Sequence, residues 1–175
     1  MKVLAFGASS SKNSINKQLA TYTASLFDKA TIEVLDLNDY ELPLFSEDKE
    51  AEIGKPTLAR DFFEKIGSCD ILIISFAEHN GSYTAAYKNL FDWCSRIDMK
   101  VYQGKPAIFL STSPGPGGAS SVLSLAQESS SFFDVNIKAS VSVPSFYDNF
   151  DMESFCINNM EIKKQLINAV SSVVL

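Results

Sequence analysis

Four consecutive apolar residues, Ile71-Leu72-Ile73-Ile74, give way to the polar stretch Glu78-His79-Asn80-Gly81-Ser82, after which a helical pattern runs from Ala85 to Trp93. An apolar run without alternation marks a strand covered on both faces, which requires helix layers above and below a sheet. The same grammar recurs along the chain. Strands are expected at Lys2–Phe6, Thr31–Asp36, Asp70–Ser75, Ala107–Ser111 and Ile137–Val141. Helices are expected at Ser14–Lys29, Thr57–Ile66, Thr84–Ile97, Gly118–Phe133 and Met160–Val174. The first carries a clear apolar stripe, Ile15, Leu19, Tyr22 and Leu26, spaced three or four apart. Strict alternation with right-handed crossovers describes an α/β doubly wound three-layer sandwich. Its strand order, dinucleotide Rossmann or flavodoxin-like, is left for the loops to decide. The acidic segment Leu37–Pro56 reads as an extended, solvated connection.

The 175 residues, 46% hydrophobic and 21% charged, fit one globular domain over 1–175. A formal charge of −6 lacks the basic footprint of a nucleic-acid binder. No apolar run reaches the roughly 18 residues of a spanning helix, and Met1–Gly7 is too short for the apolar region of a signal peptide. Cys69, Cys94 and Cys156 form no Cys-x-x-Cys, and His79 is the one histidine. A disulfide framework and a zinc site are therefore not expected, and a cytoplasmic location is.

In an open α/β sheet, ligands bind beyond the carboxyl ends of the strands. Three polar, small-residue loops follow strands there. The first, Gly7 to Asn16, presents hydroxyls and free N–H groups at a helix start, an anion site reinforced by the helix dipole, with Ser14 as a candidate N-cap. The second places Asn80-Gly81 in a turn suited to positive φ, with Glu78 and His79 beside it. The third, Ser111 to Ala119, holds three glycines and two prolines and presents backbone rather than side chains.

These loops exclude several rivals. Gly7 stands without the partners of a P-loop or a Gly-x-Gly-x-x-Gly fingerprint, so Asp36 reads as a strand-end acid. Phe6-Gly7 and Ser75-Phe76 occupy the places where a receiver domain needs acids, and no Gly-x-Ser-x-Gly elbow is present.

Taken with Ala77-Glu78-His79-Asn80-Gly81-Ser82, Lys88-Asn89, Asp92-Trp93, Ala8 to Asn16 and Ser113 to Gly118, the chain resembles the NAD(P)H-dependent FMN reductases of the flavodoxin-like superfamily, which include quinone, azo and chromate reductases. The resemblance implies a five-stranded parallel sheet of order 2-1-3-4-5, an FMN cofactor, NAD(P)H as hydride donor, a small-molecule electron acceptor, and a homodimer or homotetramer. It places the phosphate on Ser9, Ser11, Ser14 and Asn16, with Ile15 beside them. The isoalloxazine falls to Ala77, Glu78, His79, Asn80 and Gly81, with Ser113, Gly115 and Gly117 nearby. No catalytic side chain is implied, because the flavin carries the redox chemistry. Ser11 stands where the family has arginine, His79 where it has tyrosine, and Ala77 and Thr84 where it has proline. The runners-up are a flavodoxin-type electron carrier and a flavin-free domain of the same fold.

Overall fold

The computed structural model describes residues 1–173. In chain order they form β1 (Lys2–Ala8), α1 (Ile15–Ser25), β2 (Thr31–Leu35), α2 (Glu47–Ile53), α3 (Thr57–Gly67) and β3 (Ile71–Phe76). The two-residue strands β4 (Glu78–His79) and β5 (Ser82–Tyr83) precede α4 (Ala85–Ser95), β6 (Lys105–Thr112), α5 (Ser120–Ser129) and β7 (Val135–Val143). The chain closes with α6 (Phe146–Asn149), the short strands β8 (Phe150–Asp151) and β9 (Cys156–Ile157), and α7 (Met160–Ser171).

Five strands pair in parallel in the order β2-β1-β3-β6-β7, which is the flavodoxin-like order once the two small ribbons are set aside. The unalternating apolar runs feed two cores by turns. On β3, Leu72, Ile74 and Phe76 join the cluster beneath α3, α4 and α5, while Ile71 and Ile73 join the one beneath α1 and α7. Leu4, Phe6 and Ala8 on β1 oppose Val3 and Ala5 in the same way.

The elements depart from the sequence reading at their ends. β1, β6 and β7 are longer than expected, and a register shift between Ala107 and Ile108 lets β7 run out to Val135. Helix α1 stops at Ser25. The helix expected at Gly118–Phe133 begins only at Ser120, because Gly118 and Ala119 are left-handed (φ 58° and 57°), and Ser130–Phe133 is a separate 3-10 turn. Helix α7 ends at Ser171, and Val174 lies outside the described residues.

The connection Leu37–Pro56 is not the extended loop expected. Asp36 caps a 3-10 turn at Leu37–Tyr40, and Ser46 caps α2, whose first turn carries Glu47, Asp48 and Glu50. Acidic residues at a helix start complement its dipole, and that holds a helix that buries none of its residues. Asn89 and Trp93 of the motif fasten this segment. The Asn89 amide donates to the carbonyls of Leu42 and Pro43 (both 3.1 Å), its oxygen accepts the Phe45 N–H (2.8 Å), and Trp93 Nε1 donates to Pro43 O (2.8 Å).

Gly7 lies inside β1 opposite Ser75, rather than at a strand exit. A Cβ there would sit 2.4 Å from the Lys17 nitrogen, so glycine lets the first turn of α1 press on the sheet. Cys69 and Cys94 are buried and Cys156 is partly exposed; all three are free thiols. Burial pushes the Cys94 thiol up to about 12 and raises that of Cys69. Among the described residues no helix is long and apolar enough to cross a membrane.

Candidate functional site

The three loops meet at the carboxyl edge of β1, β3 and β6. The first folds on itself: Ser9 N–H donates to Gly7 O (2.8 Å), Ser11 N–H to Ser9 Oγ (3.1 Å) and Ser14 N–H to Ser11 O (3.2 Å). Ser14 is the N-cap of α1 and its Oγ accepts the Lys17 N–H at 3.1 Å. That leaves the N–H groups of Ile15 and Asn16 at the open helix end without a capping partner among the described residues. Partial positive charge gathers at such an end.

Asn16 is engaged elsewhere. Its Oδ1 accepts from Ser75 Oγ (2.7 Å) and Thr112 N (3.1 Å), and its Nδ2 donates to Thr112 O (3.1 Å), so the side chain staples α1 to β3 and β6. Its backbone N–H remains open to the loop. Lys17, one residue on, pairs with Asp36 at 2.6 Å, and this ammonium, with help from the Asn38 N–H, holds the Asp36 carboxyl below its usual range against the opposing effect of partial burial.

The second loop is a tight hairpin. Asn80 (φ 53°) and Gly81 (φ 76°) are both left-handed between β4 and β5, which is the two-residue turn with positive φ at both positions. Glu78 Oε2 accepts the Val122 N–H at 3.0 Å, placing a carboxylate on the N-terminus of α5 and tying the second loop to the third. Thr84 ties it to the first: its hydroxyl donates to Ala8 O (2.9 Å) and accepts the Tyr87 N–H (3.2 Å) as N-cap of α4.

In the third loop the demanding position is Gly118. It is left-handed, its carbonyl accepts Ser111 Oγ (2.7 Å) and Ser142 Oγ (2.9 Å), and a Cβ would stand 2.3 Å from Ser142 Oγ. Gly115 and Gly117 have nothing within 4 Å of a Cβ position, so that side of each is unobstructed, while their carbonyls accept the Ser145 N–H (2.9 Å) and the Ser120 N–H (3.1 Å).

Between these loops lies an open cleft of about 260 Å3. Of the residues named from the sequence, Ser9, Ser11, Ser14, Ile15, Asn16, Ala77, Glu78, His79 and Ser113 line it. Asn80 and Gly81 at the hairpin tip, and Gly115 and Gly117, stand outside that lining. Asn13, Thr112, Pro114 and Tyr147 complete it. The first three sit inside or beside loops already singled out. Tyr147, on the one-turn helix α6 beyond β7, follows no loop pattern that a sequence reading would flag. Glu78 is the one charged side chain of the lining, and neither lysine nor arginine belongs to it.

Residues 1–148 match the family described as NADPH-dependent FMN reductase. The chain is 31% identical over 152 residues (83% of this chain, 88% of the other) to an uncharacterized protein of Mycoplasma pneumoniae. It is 31% identical to a 2-hydroxy-1,4-benzoquinone reductase of a Burkholderia species (86% of this chain, 80% of the other) and 29% identical to an NAD(P)H-dependent FMN reductase of Pseudomonas aeruginosa (97% and 93%). The fold is also that of FerB, a flavoenzyme NAD(P)H:acceptor oxidoreductase from Paracoccus denitrificans, with a TM-score of 0.80 at 21% identity over 98% of this chain and 94% of that one. The chain therefore belongs to the NADPH-dependent FMN reductase family and is an oxidoreductase that uses FMN and NAD(P)H.

Proposed function

We propose that the cleft at the carboxyl edge of the sheet is the FMN site, and that electrons taken there from NAD(P)H leave to a quinone, a flavin or a similar small acceptor. One observation carries the placement. Three separate loops converge where the uncapped N–H groups of Ile15 and Asn16 open, in a cleft of about 260 Å3 whose lining is mostly polar. That donor set fits a phosphate at a helix N-terminus, and the unobstructed Cβ side of Gly115 and Gly117 fits the approach of a flat ring.

The first loop holds the phosphate through the Ser9, Ser11 and Ser14 hydroxyls and the N–H groups of Ile15 and Asn16. With Ser11 in place of arginine, neutral donors do this work without a bidentate cation. Ala77, Glu78 and His79 of the second loop and Ser113 of the third would face the ring, with Asn80, Gly81, Gly115 and Gly117 beside the cleft. Bound FMN supplies hydride acceptance from NAD(P)H and electron delivery to the second substrate. The chain's own residues bind and orient, and their N–H groups favour negative charge on the reduced ring.

The quinone acceptor is supported by the Burkholderia relative's stated activity. A homodimer or homotetramer is supported by the apolar hollow of about 350 Å3 that Tyr83, Phe91, Met99, Leu125 and Phe133 line between α4 and α5. Three free thiols support a reducing, cytoplasmic setting. The test is an anaerobic titration of the protein with FMN, followed by NADPH. Saturable flavin binding with bleaching on NADPH addition, reversed by a quinone, is expected. Absence of flavin binding would reject the site.

A further inference from the structure

Tyr147 is a large aromatic side chain, 62% exposed, on the rim of a cleft whose other walls are mostly polar. Its backbone is not loose. Ser145 N–H donates to Gly115 O (2.9 Å) and Phe146 N–H to Ser113 O (3.0 Å), so α6 is bonded to the third loop. The neighbouring Phe146 is fully buried and stacks on Phe150 at 4.7 Å, with the Tyr147 ring edge-on to it at 5.5 Å and 84°. Asn149 Nδ2 donates to Pro144 O at 2.9 Å and closes the turn. A pinned backbone thus holds an unburied ring at the cleft that His79 also lines.

We propose that Tyr147 is the residue that selects the acceptor: its ring packs against a planar aromatic acceptor that approaches the bound flavin at the mouth of the cleft, and compact anions gain nothing from it. The reading rests on the functional assignment above. Charge points the same way. The lining offers neither lysine nor arginine to hold a compact anionic acceptor, and a neutral ring needs none. Offset or edge-on contact between aromatic rings adds to simple area burial, and a tyrosine loses little rotamer freedom in making it.

The experiment uses the FMN-loaded protein and its Tyr147→Ala and Tyr147→Phe variants. Binding of 1,4-naphthoquinone to the oxidised protein, without NAD(P)H, is followed as a perturbation of flavin absorbance. Reoxidation of the pre-reduced protein is then timed with naphthoquinone and with hexacyanoferrate(III), a compact anion. Tyr147→Ala should weaken naphthoquinone binding by about 2- to 10-fold and raise its half-saturation concentration alike. Reoxidation by hexacyanoferrate(III) should stay as in the parent, and Tyr147→Phe should behave as the parent with both. Unchanged naphthoquinone binding in Tyr147→Ala, or an equal loss with both acceptors, would overturn the role of Tyr147 and leave the FMN site standing. A parent protein that neither holds FMN nor bleaches with NADPH would remove the functional assignment and this role together.

Discussion

Replacing Asn16 by alanine should destabilise the protein by about 3–5 kcal/mol. Three hydrogen bonds end on this side chain, with Ser75 Oγ at 2.7 Å and with Thr112 N and O at 3.1 Å each, and all three partners are buried. A neutral bond contributes about 1 kcal/mol net, and a buried donor left unpaired costs about 1–3 kcal/mol. The Ser75 hydroxyl can rotate, whereas the Thr112 N–H cannot, so the larger share falls on Thr112. Against a typical total of about 5–15 kcal/mol, the loss is large. Urea unfolding reads it as a lower midpoint at an unchanged slope. Two companions sharpen the test. Adding Ser75→Ala to Asn16→Ala should bring back roughly 1 kcal/mol of coupling, because one orphaned group is gone. Asn16→Asp turns the pattern into a pH profile. A protonated carboxyl donates to Thr112 O and still accepts from Ser75 and Thr112, while the ionised form faces a carbonyl, so the folded pKa rises. A raised pKa gives stability present below the unfolded value and lost as pH climbs through the folded one. A cost below about 1 kcal/mol for Asn16→Ala, with no coupling to Ser75, would refute the staple.

Gly7→Ala forces a Cβ to within 2.4 Å of the Lys17 backbone nitrogen and should cost about 3 kcal/mol or more in thermal unfolding, whereas Gly117→Ala, with nothing within 4 Å, should leave stability within about 0.5 kcal/mol. Trp93→Phe removes the 2.8 Å bond to Pro43 O and leaves a void in the core, and should cost about 2 kcal/mol or more while speeding proteolysis near Leu44, which is 81% exposed. Lys17→Met removes the cation that depresses Asp36. Because a depressed carboxyl stabilises above its unfolded pKa, the difference from the parent, at most about 1 kcal/mol for so exposed a pair, should be full at pH 7 and fade on acidification below about 4.

The sheet could be read from the sequence because burial on both faces writes itself as unbroken apolar runs, as at Ile71–Ile74. The turn at Asn80-Gly81 was equally plain, since few residues accept positive φ twice in succession. Helix α2 was hidden for the opposite reason: with no buried residue it leaves no stripe, and its signal was the Ser46 cap followed by Glu47 and Asp48. Asn89 and Trp93 were visible as motif residues, but their partners, the carbonyls of Leu42 and Pro43, lie more than forty positions away. Asn16 could be placed in the first loop by its position, yet its three bonds depend on how β3 and β6 end, which no local pattern encodes. Tyr147 reaches the cleft only because the chain doubles back after β7 and bonds to the third loop.

Quinones, among the acceptors proposed above, are electrophiles that arylate thiolates, so a protein that reduced them would risk alkylating itself. The sulfur atoms are distributed in a way that limits this. Cys94, pushed up to about 12 inside the core, and the buried Cys69 hold almost no thiolate at neutral pH, which leaves Cys156 on the small C-terminal ribbon as the reachable one. A brief exposure of the folded protein to iodoacetamide should accordingly add a single label, at Cys156, and show which sulfur an electrophile can reach.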